Sequence, residues 1–130
     1  MIRFDHIMIH TTNTDESIKF YEKVFEMELD NVDHYDHFDL AYMRDASTNV
    51  KFELRNNYDL GQQPIGNVVG HFAFYVDDVD KIEKRIIEFY PHLFHKMEVH
   101  VSKEHGKTYR IFSVKSPEGI ELSALQKIIG

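Results

Sequence analysis

Two histidines and two glutamates stand at corresponding places in the two halves of this 130-residue sequence: His6 and Glu53, then His71 and Glu121. Each lies in a segment where apolar and polar residues alternate, and such a strand points alternate side chains to opposite faces. In every case the His or Glu falls on the more polar face. Phe52 and Leu54 oppose Glu53, Arg55 and Asn57, for example, and Ile120 and Leu122 oppose Glu121 and Ser123. Two imidazoles and two carboxylates brought together suit a borderline divalent ion: Zn²⁺, Ni²⁺, Mn²⁺ or Fe²⁺. An octahedral ion held by four side chains keeps positions open, which Lewis-acid chemistry requires. The sequence has no cysteine, so thiolate metal sites and disulfides are excluded.

The elements that must position these residues occur twice in the same order. Residues 3–11 alternate as a strand, and Asn13, Thr14, Asp15 and Glu16 then give a helix start, a capping residue followed by acids. That helix runs to about Phe25 with Ile18, Tyr21 and Val24 on one side. Strands are expected over 27–33, 38–44 and 49–56, and a connector with Gly61, Pro64 and Gly66 over 58–68. Residues 70–76 open the second round. Asp77 and Asp78 cap a helix carrying Val79, Ile82, Ile86 and Phe89 at helical spacing, and Pro91 ends it. Strands follow over 97–102, 108–114 and 119–125, the last two joined by a turn through Ser116, Pro117, Glu118 and Gly119. A repeat in fixed order predicts an α+β fold: one domain over residues 1–130, made of two βαβββ modules over about 1–57 and 68–130, with a cupped mixed sheet.

Bulk properties narrow the function classes. A net charge of −7 opposes nonspecific nucleic-acid binding, which needs a basic face, and disfavours an anionic membrane surface. No apolar run is long enough to span a bilayer, and the start shows no secretory pattern. A cytoplasmic protein is the expectation.

The strand opening at His6-Ile7, the helix ending FYEKVF, the segments FELRNN and GHFAFYV and the closing PEGIEL hairpin resemble the glyoxalase I branch of the vicinal-oxygen-chelate superfamily, over nearly the whole chain. The resemblance implies the glyoxalase/bleomycin resistance/dioxygenase fold. It also implies one metal ion, Ni²⁺ or Zn²⁺ before Mn²⁺ or Fe²⁺, held by His6, Glu53, His71 and Glu121. The implied reaction isomerises the hemithioacetal of methylglyoxal and glutathione, or another thiol, through a metal-bound enediolate, with Glu121 and Glu53 as catalytic carboxylates. Asn57 matches a glutathione-side Asn of the family, and the family implies a homodimer. Beside it, His10 is expected to line the cup, and Arg55 and Lys107 to offer positive charge to the substrate.

Two registers are open at the closing hairpin. The family's Glu usually falls four residues after the turn glycine, and that position is Ser123; Glu121 stands two residues after Gly119. The family also often has Arg where this chain has His10. Rival readings are a sibling enzyme on the same scaffold (an epimerase, a thiol transferase or an extradiol dioxygenase) and a metal-free protein that sequesters a small ligand. The remaining histidines read as surface residues, and the run His34, Tyr35, Asp36, His37 as a solvated loop.

Overall fold

The computed structural model describes residues 4–63, 71–93, 100–104 and 107–128. Residues 1–64 and 65–130 form two compact units, each with one helix and a four-stranded mixed sheet.

In the first unit, β1 (His6–His10) leads through α1 (Thr14–Phe25) to β2 (Glu28–His34), β3 (Phe38–Arg44) and β4 (Lys51–Asn57). The strand order is β1-β4-β3-β2. β4 runs parallel to β1 and antiparallel to β3. A parallel pair cannot be joined by a hairpin, so α1 and the β2/β3 hairpin form the crossover. Asn13 fixes the start of α1 by accepting the Glu16 amide at 3.1 Å. The helix ends in a left-handed residue, Glu26 at φ 57°. The Met27 amide returns to the Tyr21 carbonyl at 3.1 Å, which satisfies carbonyls the helix leaves open. Ile18, Phe20, Tyr21 and Val24 of α1 are buried with Ala41, Met43, Phe52 and Leu54 of the sheet. Tyr21 meets Phe52 edge-on at 5.5 Å between ring centroids.

The second unit repeats the plan. β5 (Phe72–Tyr75), α2 (Val79–Phe89), β6 (His100–Glu104), β7 (Lys107–Lys115) and β8 (Glu121–Lys127) give the order β5-β8-β7-β6. Asp78 caps α2 through the Asp80 amide at 2.9 Å, and the Gln126 side chain accepts the Val79 amide at 2.9 Å. A 3-10 turn at Pro91–Leu93 follows the helix, as the proline predicts. Val79, Ile82 and Ile86 are buried with Phe112, Val114, Leu122 and Ala124. The β7/β8 turn places Gly119 at φ 92°, a conformation that favours glycine. No helix among the described residues is long and apolar enough to cross a membrane.

The expected strand over 38–44 coincides with β3, and the bounds of the others differ from the expected ones by one to three residues, as frayed ends do. The expected strand over 97–102 is described only from His100, and the end of the expected connector lies outside the described residues. So do His95, His105 and the side chains of His100 and Lys107. The run from His34 to His37 is exposed, and the Asp39 carboxylate meets the His34 ring at 2.6 Å.

Candidate functional site

In the first unit the parallel ladder of β1 and β4 pairs Met8 with Glu53 and His6 with Lys51. His6, Met8 and Glu53 therefore share a face, with Glu53 one step along from His6. Their side chains close that gap: His6 Nε2 contacts Glu53 Oε2. On the far side of the ring, His6 Nδ1 lies 2.7 Å from Asp5 Oδ2. The imidazole is thus held between two carboxylates. With a hydrogen on each nitrogen it donates to both. With Nε2 given to an ion, Nδ1–H still donates to Asp5, the arrangement that orients metal-bound histidines. Tyr42 of β3 is the other ladder neighbour of Glu53. Loss of hydration pushes the Tyr42 phenol up to about 12, aided by Asp33 and slightly by Glu53. The phenol therefore stays neutral, and its hydroxyl is hydrogen-bonded to Asp33. A nitrogen and an oxygen converging on one face, backed by a carboxylate, is a donor set that fits a borderline divalent ion.

The expected substrate-binding residues of this unit also come together. His10, Thr11, Arg55, Asn57, Leu60 and Gln62 line a shallow cleft open to solvent. Arg55 donates from Nε to Asn57 Oδ1 at 2.9 Å, and the Asn57 amide lies 3.4 Å from His10 Nδ1. The guanidinium carbon of Arg55 sits 3.8 Å from the centre of the Phe38 ring, which is itself stacked on Tyr35 at 4.5 Å. Stacking and hydrogen bonding fix the orientation of Arg55, and among the described residues it forms no ion pair.

In the second unit His71 immediately precedes β5 and is exposed. The ladder pairs Ala73 with Ser123 and Phe72 with Leu122, so Ser123 is one step along from His71, as Glu53 is from His6. Ser123 is 6% exposed, and its hydroxyl meets the Ser113 hydroxyl at 3.0 Å. Glu121 is exposed at the start of β8, opposite Lys115. The textual match of Phe52-Glu53-Leu54 to Ile120-Glu121-Leu122 is therefore two residues out of structural register. Among the described residues no three His, Asp or Glu side chains are gathered closely enough to hold a metal ion. The contact between His6 and Glu53 is the part of the expected donor set displayed within a unit.

Asp5 and the hydroxyl pair of Ser113 and Ser123 carry no motif in the sequence. The signal for Asp5 was its place next to His6; the signal for the serines was the alternative register at the last hairpin.

This sequence is similar to the lactoylglutathione lyase of Neisseria meningitidis serogroup A, at 29% identity over 133 residues, 99% of this chain and 94% of that protein. Among solved structures it is similar to glyoxalase I from Zea mays, with a TM-score of 0.79 at 25% identity, covering 98% of this chain and 45% of that one. It shares its fold with a glyoxylase/bleomycin resistance protein/dioxygenase domain from Frankia sp. EAN1pec, with a TM-score of 0.73 at 14% identity, covering 98% and 99% of the two chains. Residues 3–123 match the Glyoxalase/Bleomycin resistance protein/Dioxygenase superfamily, and the chain belongs to it.

Proposed function

We propose that this chain is a metal-dependent lyase of the glyoxalase I kind, isomerising the hemithioacetal of a 2-oxoaldehyde such as methylglyoxal and a thiol such as glutathione. The observation that carries the reading is the contact of His6 Nε2 with Glu53, with Asp5 behind the ring. Relatives named lactoylglutathione lyase that match along almost the whole chain support it.

His6, Glu53 and His71 would hold the metal, Ni²⁺ or Zn²⁺ ahead of Mn²⁺ or Fe²⁺. When bound, such an ion supplies Lewis-acid stabilisation of charge developing on oxygen. Asp5 orients the His6 ring through Nδ1. Glu53 is the carboxylate placed to move the proton: it accepts the hydrogen on the carbon bearing sulfur and returns a proton to the neighbouring carbon. The hydroxyl proton passes to the former carbonyl oxygen, so a thioester and an alcohol form with no external oxidant or reductant. Arg55, Asn57 and His10 hold the thiol-bearing arm, and Arg55 can pair with a carboxylate on it.

The test is absorbance at the thioester band with methylglyoxal and glutathione, before and after chelator treatment. Thioester formation that stops on chelation and returns with added Ni²⁺ or Zn²⁺ is the expected result; no thioester with any divalent ion would defeat the proposal. One observation favours a second reading. Ser123 in place of a carboxylate leaves two histidines and one glutamate, the donor set of an extradiol dioxygenase. Oxygen uptake with a catechol and Fe²⁺, without thioester formation, would select it.

A further inference from the structure

Because the two units share one plan, each position of the first has a counterpart in the second. Met8 stands two residues after His6 and pairs with Glu53; Ala73 stands two residues after His71 and pairs with Ser123. The antiparallel neighbours agree, since Tyr42 faces Glu53 and Ser113 faces Ser123. Both ladders therefore make Ser123 the counterpart of Glu53. Glu121 is the counterpart of Lys51, which pairs with Arg44 as Glu121 pairs with Lys115. Two residues along a strand is a displacement of about 7 Å, whereas metal–ligand distances tolerate only about 0.2 Å. Glu121 and Ser123 are thus distinct places, not two descriptions of one.

We infer that the donor the second unit offers beside His71 is the Ser123 hydroxyl and not a carboxylate. The chain then brings three strong metal ligands, His6, Glu53 and His71, in place of four. This rests on the metal reading above. A neutral hydroxyl, already hydrogen-bonded to Ser113, competes weakly with water for a divalent ion. One more ligand position is then open to solvent or substrate, and one negative charge fewer faces the ion. Metal affinity should therefore respond to what stands at position 123 and ignore what stands at 121.

The experiment titrates chelator-treated full-length protein with Co²⁺, following visible absorption, with a chromophoric chelator as competitor to fix Kd. Glu121→Gln should leave Kd within about twofold of wild type. Ser123→Glu should tighten it about tenfold or more, and Glu53→Gln should weaken it by at least about 100-fold, beyond the usual effect of losing an outer partner. Weakening by Glu121→Gln equal to that by Glu53→Gln overturns the inference. If Ser123→Glu fails to fold, shown by loss of the far-ultraviolet dichroism of the wild type, Glu121→Gln decides alone, since that side chain is exposed. A wild type that binds no Co²⁺ overturns the metal reading instead. In that case Ser123→Glu decides the register: binding gained there upholds it, and no gain overturns it.

Discussion

The two units use the same strand order, a side-chain cap at each helix start and the same buried helix face, yet differ on the two faces of their sheets in different ways. On the helix-covered face they exchange volume. Ala41 pairs with Leu54 in the first unit, while Phe112 pairs with Ala124 in the second, and all four are essentially buried. The large residue sits on β4 in one unit and on β7 in the other, a swap that fills a core while keeping its total size. On the opposite face they exchange chemistry. The first unit surrounds His6 with Asp5, Glu53 and Tyr42; the second places Ala73, Ser123 and Ser113 at the ladder positions around His71. Packing constrains the covered face to a volume. The open face is constrained only where a ligand needs it, so the units depart there in kind.

The largest expected effect lies in the open face. Glu53→Gln keeps the shape of the side chain and removes its charge, so it should cost at least about 100-fold in thioester formation, since it removes the group proposed as both metal donor and proton acceptor. A loss under about fivefold in the assay given above would break the contrast between the units. The covered face comes next. Leu54→Ala should destabilise the protein by about 2–5 kcal/mol in urea denaturation, because Ala41 cannot fill the space beside it. Ala124→Leu, the reverse change at the corresponding position, should cost about 1–3 kcal/mol by overpacking against Phe112. Two small, equal effects would show that the cores are not complementary in this way.

A smaller effect sharpens the contrast on the substrate side. Arg55→Met should raise KM for the glutathione adduct roughly tenfold, through loss of a charged hydrogen bond, and leave kcat nearly unchanged. The 2-mercaptoethanol adduct carries no carboxylate and should be insensitive. Equal effects on both adducts would remove Arg55 from carboxylate recognition.

The smallest effect concerns Asp39, whose carboxyl is held below its ordinary value first by the Tyr58 hydroxyl, against the opposing pull of burial, and then by His34. The hydrogen bond conversely raises the Tyr58 phenol. A depressed carboxyl stabilises the fold above its unfolded value of 3.8 and loses that contribution as pH falls through its folded value. A raised phenol contributes below 10.0 and loses its contribution as pH rises through its folded value. Tyr58→Phe should therefore lower the melting temperature by roughly a few degrees at most. The deficit should be flat across neutral pH and close at both acid and alkaline ends. A deficit that grows below pH 3.8 would contradict this sign.

Much of this was legible in the sequence because period-two alternation and capping residues act locally. Asn13 and Asp78 begin their helices where their side chains predict, and the face carrying Glu53 follows from Phe52 and Leu54 alone. The register of β8 was not legible for the same reason. A shift of two residues leaves every side chain on its own face, so alternation cannot separate Glu121 from Ser123, and the similar triplets around Glu53 and Glu121 suggest a pairing two residues away from the ladder register. Only the ladders to β5 and β7 decide. The partnership of Asp5 with His6 was hidden for a related reason: neighbours within a strand point to opposite faces, but Asp5 lies just before β1, and its side chain turns back to Nδ1.

The most direct measurement is a crystal structure of the Co²⁺-loaded protein, identifying which side chains touch the ion. The expected ligands are His6 through Nε2, Glu53 and His71, with no carboxylate of the second unit among them. An ion ligated by Glu121, or one that leaves Glu53 untouched, would contradict this expectation.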